Sequence, residues 1–318
     1  MKNTTKIWLA AAGVLVLAGC ILFVWVMSTF QWDFAKLSTA KYETNTYEIG
    51  ETFRNIRVIT DAAHIKFALS SNDKCTVECC EEEKARHSVT VEGDALVIKV
   101  NDQKEWYDYI GLFFASPSIT VYLPQTAYGT LSIDGKTGNV EVPTDFTFES
   151  ADISLMTGST DFGASASGPV RMKASTGNIN VEGISAGSLD LSVTTGAVTV
   201  SGVTCRDDMR VGVSTGRVSL ADISCGSVMS GGTTGSISLR NVIAANRLSV
   251  VRSTGNVNFD GCDAAEIYVQ TDTGDVTGSL LTDKVFTTQT STGRIDVPKT
   301  TTGGICEIRT ITGDIQIG

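Results

Sequence analysis

The stretch LDLSVTTGAVTV at residues 189–200 decides the fold of this chain. Apolar and polar residues alternate before its Thr-Gly pair, and the alternation resumes two residues after the glycine. Alternation with a period of two is typical of β-strands, and a glycine between two such runs indicates a tight turn. The stretch therefore predicts two short strands that meet at a corner.

The same pattern recurs ten times, at intervals of 19 or 20 residues. Such a period with strand-like flanks is typical of a solenoid, whose coils stack on one another. We predict an all-β fold, a parallel β-helix of about ten coils over residues 129–318, with neighbouring coils about 4.8 Å apart. The corner glycines are predicted to be structural, because a tight corner often needs positive φ. They are Gly138, Gly158, Gly177, Gly196, Gly216, Gly235, Gly255, Gly274, Gly293 and Gly313.

Residues 49–128 differ from the repeats. Residues 55–67 follow the coil pattern with Ala63 in the glycine position, which predicts a degenerate first coil. Strand-like runs follow at 75–80, 88–92, 96–100 and 119–123. Of the 23 aromatic residues, 17 lie before residue 129, so the large side chains are concentrated here. We interpret this block as a β cap that closes the N-terminal end of the solenoid.

The N-terminus carries a candidate membrane segment. Residues 7–27 contain no charge and would cover about 30 Å as a helix, the thickness of a bilayer core. Lys2 and Lys6 precede the segment, so the positive-inside tendency predicts a cytoplasmic tail at 1–6, a single transmembrane helix and an extracellular remainder. Residues 28–48 would then be a juxtamembrane linker.

A lipoprotein signal is the alternative interpretation of the same region. Leu17-Ala18-Gly19-Cys20 resembles a bacterial lipobox, in which the cysteine is lipidated after the signal is removed. Against this interpretation, the apolar run continues for seven residues past Cys20, whereas a signal has a shorter apolar region. Lipidation of Cys20 stays open, and both interpretations tether the chain to the outer face of a membrane.

Together these features resemble a known family. The anchor, the segment DAAHIKF at 61–67, the segment WYDYIG at 106–111 and the Ser/Thr-Thr-Gly repeats are similar to those of β-strand repeat proteins called putative adhesins, a family with a domain of unknown function. The resemblance covers nearly the whole chain. It implies a parallel β-solenoid at the surface of a bacterial cell, without specifying a ligand.

Composition narrows the function further. A net charge of −10 without a basic block disfavours nucleic acid as a partner. With only two histidines, and no acidic residue opposite Asp207 or Asp208 in the neighbouring coils, we predict no enzyme, no catalytic residue, no cofactor and no metal site. The disulfide states of Cys75, Cys79 and Cys80, and of Cys205 with Cys225, stay open.

Two segments are candidate interaction surfaces. One is the aromatic cluster Trp106, Tyr107, Tyr109, Phe113 and Phe114, which would attract a partner if exposed and otherwise packs within the cap. The other is the last coil, where Ile315 and Ile317 are expected at an uncapped end that could take up a strand from a second copy.

One residue after the corner glycine, the last three coils carry Asp275, Arg294 and Asp314, which we expect in one column.

These observations predict a membrane-anchored extracellular solenoid with a non-enzymatic, adhesin-like interaction role toward an unidentified envelope or surface ligand. One alternative is a sensor or regulator of envelope stress that signals through a membrane partner. A less favoured alternative is a carbohydrate-modifying enzyme, since some β-helices carry paired carboxylates.

Overall fold

The computed structural model describes residues 3–32, 41–106 and 116–318. Its one helix in those ranges, α1 (Asn3–Thr29), is long and apolar enough to cross a membrane, and its most apolar stretch is not buried in protein. The helix includes the predicted span 7–27 and continues without a break through Cys20. Its length and composition fit a membrane anchor or a signal sequence.

Seven strands precede the regular repeats and build the N-terminal cap and first coil. They are β1 (Tyr42–Ile49), β2 (Asn55–Ala62), β3 (His64–Leu69), β4 (Cys75–Glu82), β5 (Ala85–Glu92), β6 (Ala95–Asp102) and β7 (Ser118–Leu123). β2 and β3 form the first coil with Ala63 at the corner, and β6 and β7 pair parallel beneath them. Below that layer the chain direction reverses, since β5 pairs antiparallel to β6, β4 to β7 and β1 to β4.

The predicted linker 28–48 is therefore wrong over part of its length. Helix α1 extends to Thr29, and β1 begins at Tyr42, where eight residues pair in continuous antiparallel register with β4. The polar sequence of β1 gave no indication of this strand, because its pairing depends on a partner edge that lies later in the chain, between Cys75 and Glu82, rather than on its own apolar residues. The cap thus includes residues that we assigned to the linker.

The repeats form parallel strands on the faces of stacked coils, a β-solenoid of about ten turns, as predicted. The strands are β8 (Ala127–Thr137), β9 (Val140–Val142), β10 (Thr147–Thr157), β11 (Thr160–Phe162), β12 (Ser165–Ala166), β13 (Pro169–Thr176), β14 (Ile179–Glu182), β15 (Ser185–Ala186), β16 (Ser188–Thr195), β17 (Val198–Cys205), β18 (Met209–Thr215), β19 (Val218–Thr234), β20 (Ile237–Thr254), β21 (Val257–Thr273), β22 (Val276–Leu280), β23 (Lys284–Gln289), β24 (Ile295–Asp296), β25 (Gly304–Thr312) and β26 (Ile315–Ile317).

One apolar core runs through the stack. The inward position two residues after the corner glycine shows the regularity, because its side chains are at most 2 % exposed in nine coils. They are Val140, Thr160, Ile179, Val198, Val218, Ile237, Val257, Val276 and Ile315. Burial of this continuous column of mostly β-branched side chains stabilises each coil through its neighbours.

The last coils do not stack in sequence order. β25 pairs with β21 on one side and β23 on the other, and β26 lies likewise between β22 and β24. The chain leaves β22, skips a layer to form β23 and β24, and then returns to fill the skipped layer with its final strands. Residues 284–297, which we call the terminal coil, are therefore the outermost layer at this end.

Candidate functional site

The Thr-Gly corners form a continuous backbone column along one edge of the solenoid. All ten corner glycines have φ between 129° and 158°, as predicted. In most coils the glycine N–H donates to the threonine carbonyl of the next layer, as Gly216 does to Thr234 at 2.9 Å. A Cβ at Gly216 would lie 1.6 Å from the carbonyl oxygen of Gly196, so the stacking distance itself excludes a side chain. This edge is structural.

A ladder of side-chain hydrogen bonds follows the corners. Toward both ends of the stack, the side-chain oxygen one residue after the glycine accepts the backbone N–H at the same position of the next layer, as Asn139 does from Ser159 at 2.9 Å. At the far end, Asp275 accepts from Asp314, and Asp314 accepts from Arg294, each at 2.8 Å. The predicted column of charges is confirmed, with Asp314 rather than Arg294 in its middle.

The predicted terminal interaction residues are not at the surface. Ile315 is 0 % and Ile317 is 5 % exposed, because β26 lies between two other strands. That expectation is wrong, since it assumed that stacking follows chain order. The terminal coil takes their place: Ile295, in the column of Ile315, is 46 % exposed, and no described strand pairs with the outer edges of β23 and β24.

The terminal coil is fastened to the stack by an ion pair. The Lys284 side chain is 3 % exposed, and its ammonium lies 2.5 Å from an Asp263 carboxylate oxygen and 2.7 Å from the Thr282 hydroxyl. Asp263 belongs to β21, so the lysine reaches across the intervening β25 at Gly304, which has no side chain to block it. Burial alone would raise the pKa of Asp263, but the hydrogen bonds from Lys284 and Thr282, together with the Lys284 charge and the Ala264 N–H, lower it.

The aromatic cluster can be placed only at its first residue. Trp106 is 74 % exposed, whereas Tyr107, Tyr109, Phe113 and Phe114 lie outside the described residues. Near it, a cleft of about 450 Å³ lies between the cap and the first corners of the stack. Its lining includes Tyr42, Ala63, His64, His87, Val100 and Lys104. Burial, reinforced by Glu82, raises the pKa of the Tyr42 hydroxyl to about 12.

All eight cysteines are free thiols. Cys205 and Cys225 occupy matching positions of successive coils, and burial raises their pKa to about 11 and about 12. In β4, Cys79 points inward and Cys80 outward, as a strand requires. A buried thiol with a high pKa is a poor nucleophile, so Cys205 and Cys225 behave as small apolar packing groups.

A buried polar cluster in the cap joins Cys79 and His87 to Glu81, a residue that the sequence did not single out. Cys79, Glu81 and His87 each offer a metal-ligand atom, and these atoms lie within 4.8 Å of one another. All three side chains are at most 4 % exposed. The signal was available, since strand alternation turns Cys79 and Glu81 to the same inward face, where an acid is out of place.

Comparisons with known proteins give one family match and several similar structures. The profile of the family described as Toastrack DUF4097 matches residues 53–220. A putative adhesin from Bacteroides fragilis is similar in structure at 14% identity, with 87% of this chain and 97% of that chain covered and a TM-score of 0.45. A putative adhesin from Parabacteroides distasonis is similar at 13% identity, with 86% of this chain and 98% of that chain covered and a TM-score of 0.42. A putative lipid binding protein from the same species is similar at 17% identity, with 86% of this chain and 98% of that chain covered and a TM-score of 0.40. None of the curated proteins matches the chain.

Proposed function

Because this chain belongs to the Toastrack DUF4097 family, we propose that it is a membrane-anchored surface protein with a non-enzymatic, adhesin-like interaction role. Helix α1 would hold it in the membrane, with Lys2 and Lys6 on the cytoplasmic side and the solenoid outside. The terminal coil would be its contact surface.

The open edge of the terminal coil carries this proposal. Its inward positions Phe286 and Thr288 are only half-buried, whereas Cys306 and Ile308, which pair with them one layer below, are at most 1 % exposed. An end of this kind leaves apolar side chains and unpaired backbone groups in water, and both are satisfied when another strand pairs with the edge. The edge therefore favours a partner that supplies a β-strand.

A second copy of the chain fits the edge by charge. Residues 281–303 contain two acids and three bases, although the whole chain has a net charge of −10. The Lys284 charge is neutralised by Asp263, so the exposed part of this end is close to neutral. Two such ends can approach each other without the repulsion that the acidic sides of the solenoid would cause.

Cross-linking on intact cells tests the contact surface. A photo-reactive amino acid at Thr287, exposed on the edge strand β23, should join two copies of the protein. The same group at Thr199, exposed on the mid-stack strand β17, is the matched control and should not. Ile295→Lys should weaken the Thr287 product by placing a charge on the contact face. Equal yields at the two sites would contradict an end-on contact, and a product with another protein would replace the second copy as the partner.

Membrane topology is tested separately. Protease added to intact cells should digest the chain beyond Trp32, if the solenoid is outside. Globomycin, which blocks lipoprotein signal cleavage, should leave the size of the protein unchanged. A precursor that accumulates under the drug would show that Cys20 is lipidated and that α1 is removed.

A further inference from the structure

The cap contains a buried cluster of a thiol, a carboxylate and an imidazole. Cys79 and Glu81 lie two residues apart on β4, so both side chains point into the cap, and His87 enters the same space from β5. Cys79 and Glu81 are each 0 % exposed and His87 is 4 % exposed. Burial of a carboxylate and an imidazole is costly unless their charges and hydrogen bonds are compensated.

The contacts within the cluster are short and directed. The Nδ1 atom of His87 lies 2.6 Å from Oε2 of Glu81, and the backbone N–H of His87 donates to the same oxygen at 2.6 Å. The thiol of Cys79 completes a set of three donor atoms within 4.8 Å. Sulfur, imidazole nitrogen and carboxylate oxygen are the three ligand types that Zn²⁺ takes in proteins.

We propose that Cys79, Glu81 and His87 bind a divalent transition-metal ion of the zinc class. In tetrahedral zinc sites with metal–nitrogen and metal–oxygen distances of about 2.1 Å, neighbouring ligand atoms are about 3.4 Å apart. The imidazole would therefore move away from Glu81 by about 1 Å, and the metal would take the place of the proton between them. Three protein ligands leave a fourth position for water.

Neighbouring groups already orient two of the three ligands. The Thr60 hydroxyl lies 3.0 Å from Nε2 of His87, so it can accept a hydrogen bond from Nε2–H and leave Nδ1 free as a ligand. The Asn45 amide donates to Oε1 of Glu81 at 2.9 Å, which leaves Oε2 for the metal. Such outer contacts fix the tautomer and orientation of metal ligands.

Thr60, His87 and Glu81 also form a hydroxyl–imidazole–carboxylate chain of contacts, as the catalytic triad of a hydrolase does. Thr60 is 2 % exposed, however, so its hydroxyl is closed to a substrate carbonyl. Burial, with Glu81 and Glu78, raises the pKa of the Cys79 thiol to about 12, which makes it a poor free nucleophile. A metal ion offsets that effect, because it binds the thiolate and displaces the proton.

Cobalt binding to the full chain tests the site. Tag-free protein in detergent is stripped of metal and titrated with Co²⁺, a spectroscopic substitute for zinc. We expect one Co²⁺ per chain, an absorption band from thiolate-to-cobalt charge transfer, and loss of that band when Zn²⁺ is added. Cys79→Ser should abolish the band, and His87→Gln should weaken Co²⁺ binding at least tenfold.

Two further variants keep the test independent of folding defects. Cys75→Ser removes another buried thiol of β4 outside the cluster and should leave the band unchanged. Thr60→Val keeps all three ligands and should weaken binding about tenfold, since outer partners contribute about 10- to 100-fold to metal affinity. Zn²⁺ should also raise the thermal midpoint of the wild type and not that of Cys79→Ser.

The proposal is overturned if the wild type binds no more Co²⁺ than Cys79→Ser does. It is equally overturned if the charge-transfer band survives in Cys79→Ser or disappears in Cys75→Ser. Glu81 and His87 would then form a hydrogen-bonded pair only, and the cluster would be a polar contact of the cap.

Discussion

Alanine substitutions at Ile315 and Ile295 separate the two orders in which the last coils could stack. Both residues occupy the same inward column, two positions after a corner glycine. Ile315 is 0 % exposed and pairs on both sides, whereas Ile295 is 46 % exposed and pairs on one side. Truncation of a fully buried isoleucine costs about 2–5 kcal/mol, so we expect about 3 kcal/mol for Ile315→Ala. For Ile295→Ala we expect about 1 kcal/mol, since half of the side chain is already hydrated.

Urea unfolding followed by far-UV circular dichroism measures this difference, provided that the slope with urea concentration is the same in both variants. Hydrogen exchange gives a second measurement, because amides of β25 have strands on both sides and those of β23 on one. We expect faster exchange in 284–289 than in 304–312. If the coils stacked in sequence order, Ile295 would be the internal residue. An equal or larger cost at Ile295 would therefore refute the order described here.

Three further predictions concern the corner column and the charges beside it. Gly216→Ala should cost about 3 kcal/mol or more in urea unfolding, because it combines positive φ with a Cβ only 1.6 Å from the Gly196 carbonyl oxygen. Ala63→Gly at the first corner should cost less than about 1 kcal/mol, and similar costs at the two sites would mean that the corner geometry is wrong. Arg294→Asp should lower the thermal midpoint at low salt, and less so in high salt, because it places three acids in one column. The Arg294 backbone N–H and guanidinium lower the pKa of Asp314. Their contribution to the stability of the fold is therefore present at neutral pH and is lost as the pH falls through that lowered pKa. A stability difference between the wild type and Arg294→Ala that persists at low pH would contradict this prediction.

The sequence predicts each coil well because each coil is specified locally. The corner glycine, the alternation around it and the 19–20-residue period all fall within one repeat, so they predict strands, corners and inward columns from Gly138 onward. Ala63 keeps the backbone register of the first corner without a glycine, since its N–H donates to the Thr137 carbonyl at 3.0 Å.

Stacking order is not specified locally. Every layer presents the same columns, so a final coil can pair equally well with its predecessor or with a coil two positions away. The period gives no indication of the difference, because the corners at Gly274, Gly293 and Gly313 keep their spacing in either order. Two contacts belong to the observed stacking order. Lys284 reaches Asp263 across Gly304, and a side chain at Gly304 would meet the Ala265 carbonyl oxygen at 2.5 Å.

The repeat pattern also does not predict a polar side chain in an inward column. Arg252 lies three residues before a corner glycine, a position that its neighbour fills with the buried Thr271, and it is only 1 % exposed. Its guanidinium donates to the Val213 carbonyl at 3.1 Å and the Ser230 hydroxyl at 3.2 Å. Space for it comes from Gly232, where a Cβ would lie 1.9 Å from the guanidinium. Strand alternation predicts that the side chain at position 252 points inward, whereas the hydropathy of arginine predicts that it points outward. The inward orientation depends on contacts with the neighbouring layers, which the sequence of one repeat does not show.

The swapped order has a consequence for the proposed contact surface. Insertion of β25 and β26 buries the last apolar residues, Ile315 and Ile317, and moves the open edge to a segment that has chain on both sides. The terminal coil is consequently held by one layer of strand pairing and by the Lys284–Asp263 ion pair, while the layers beneath it are paired on both faces. A strand added by a partner would complete the pairing of this coil and bury Ile295, so part of the binding free energy would order and stabilise the end of the solenoid. Contact at this end is therefore coupled to the stability of the least supported coil.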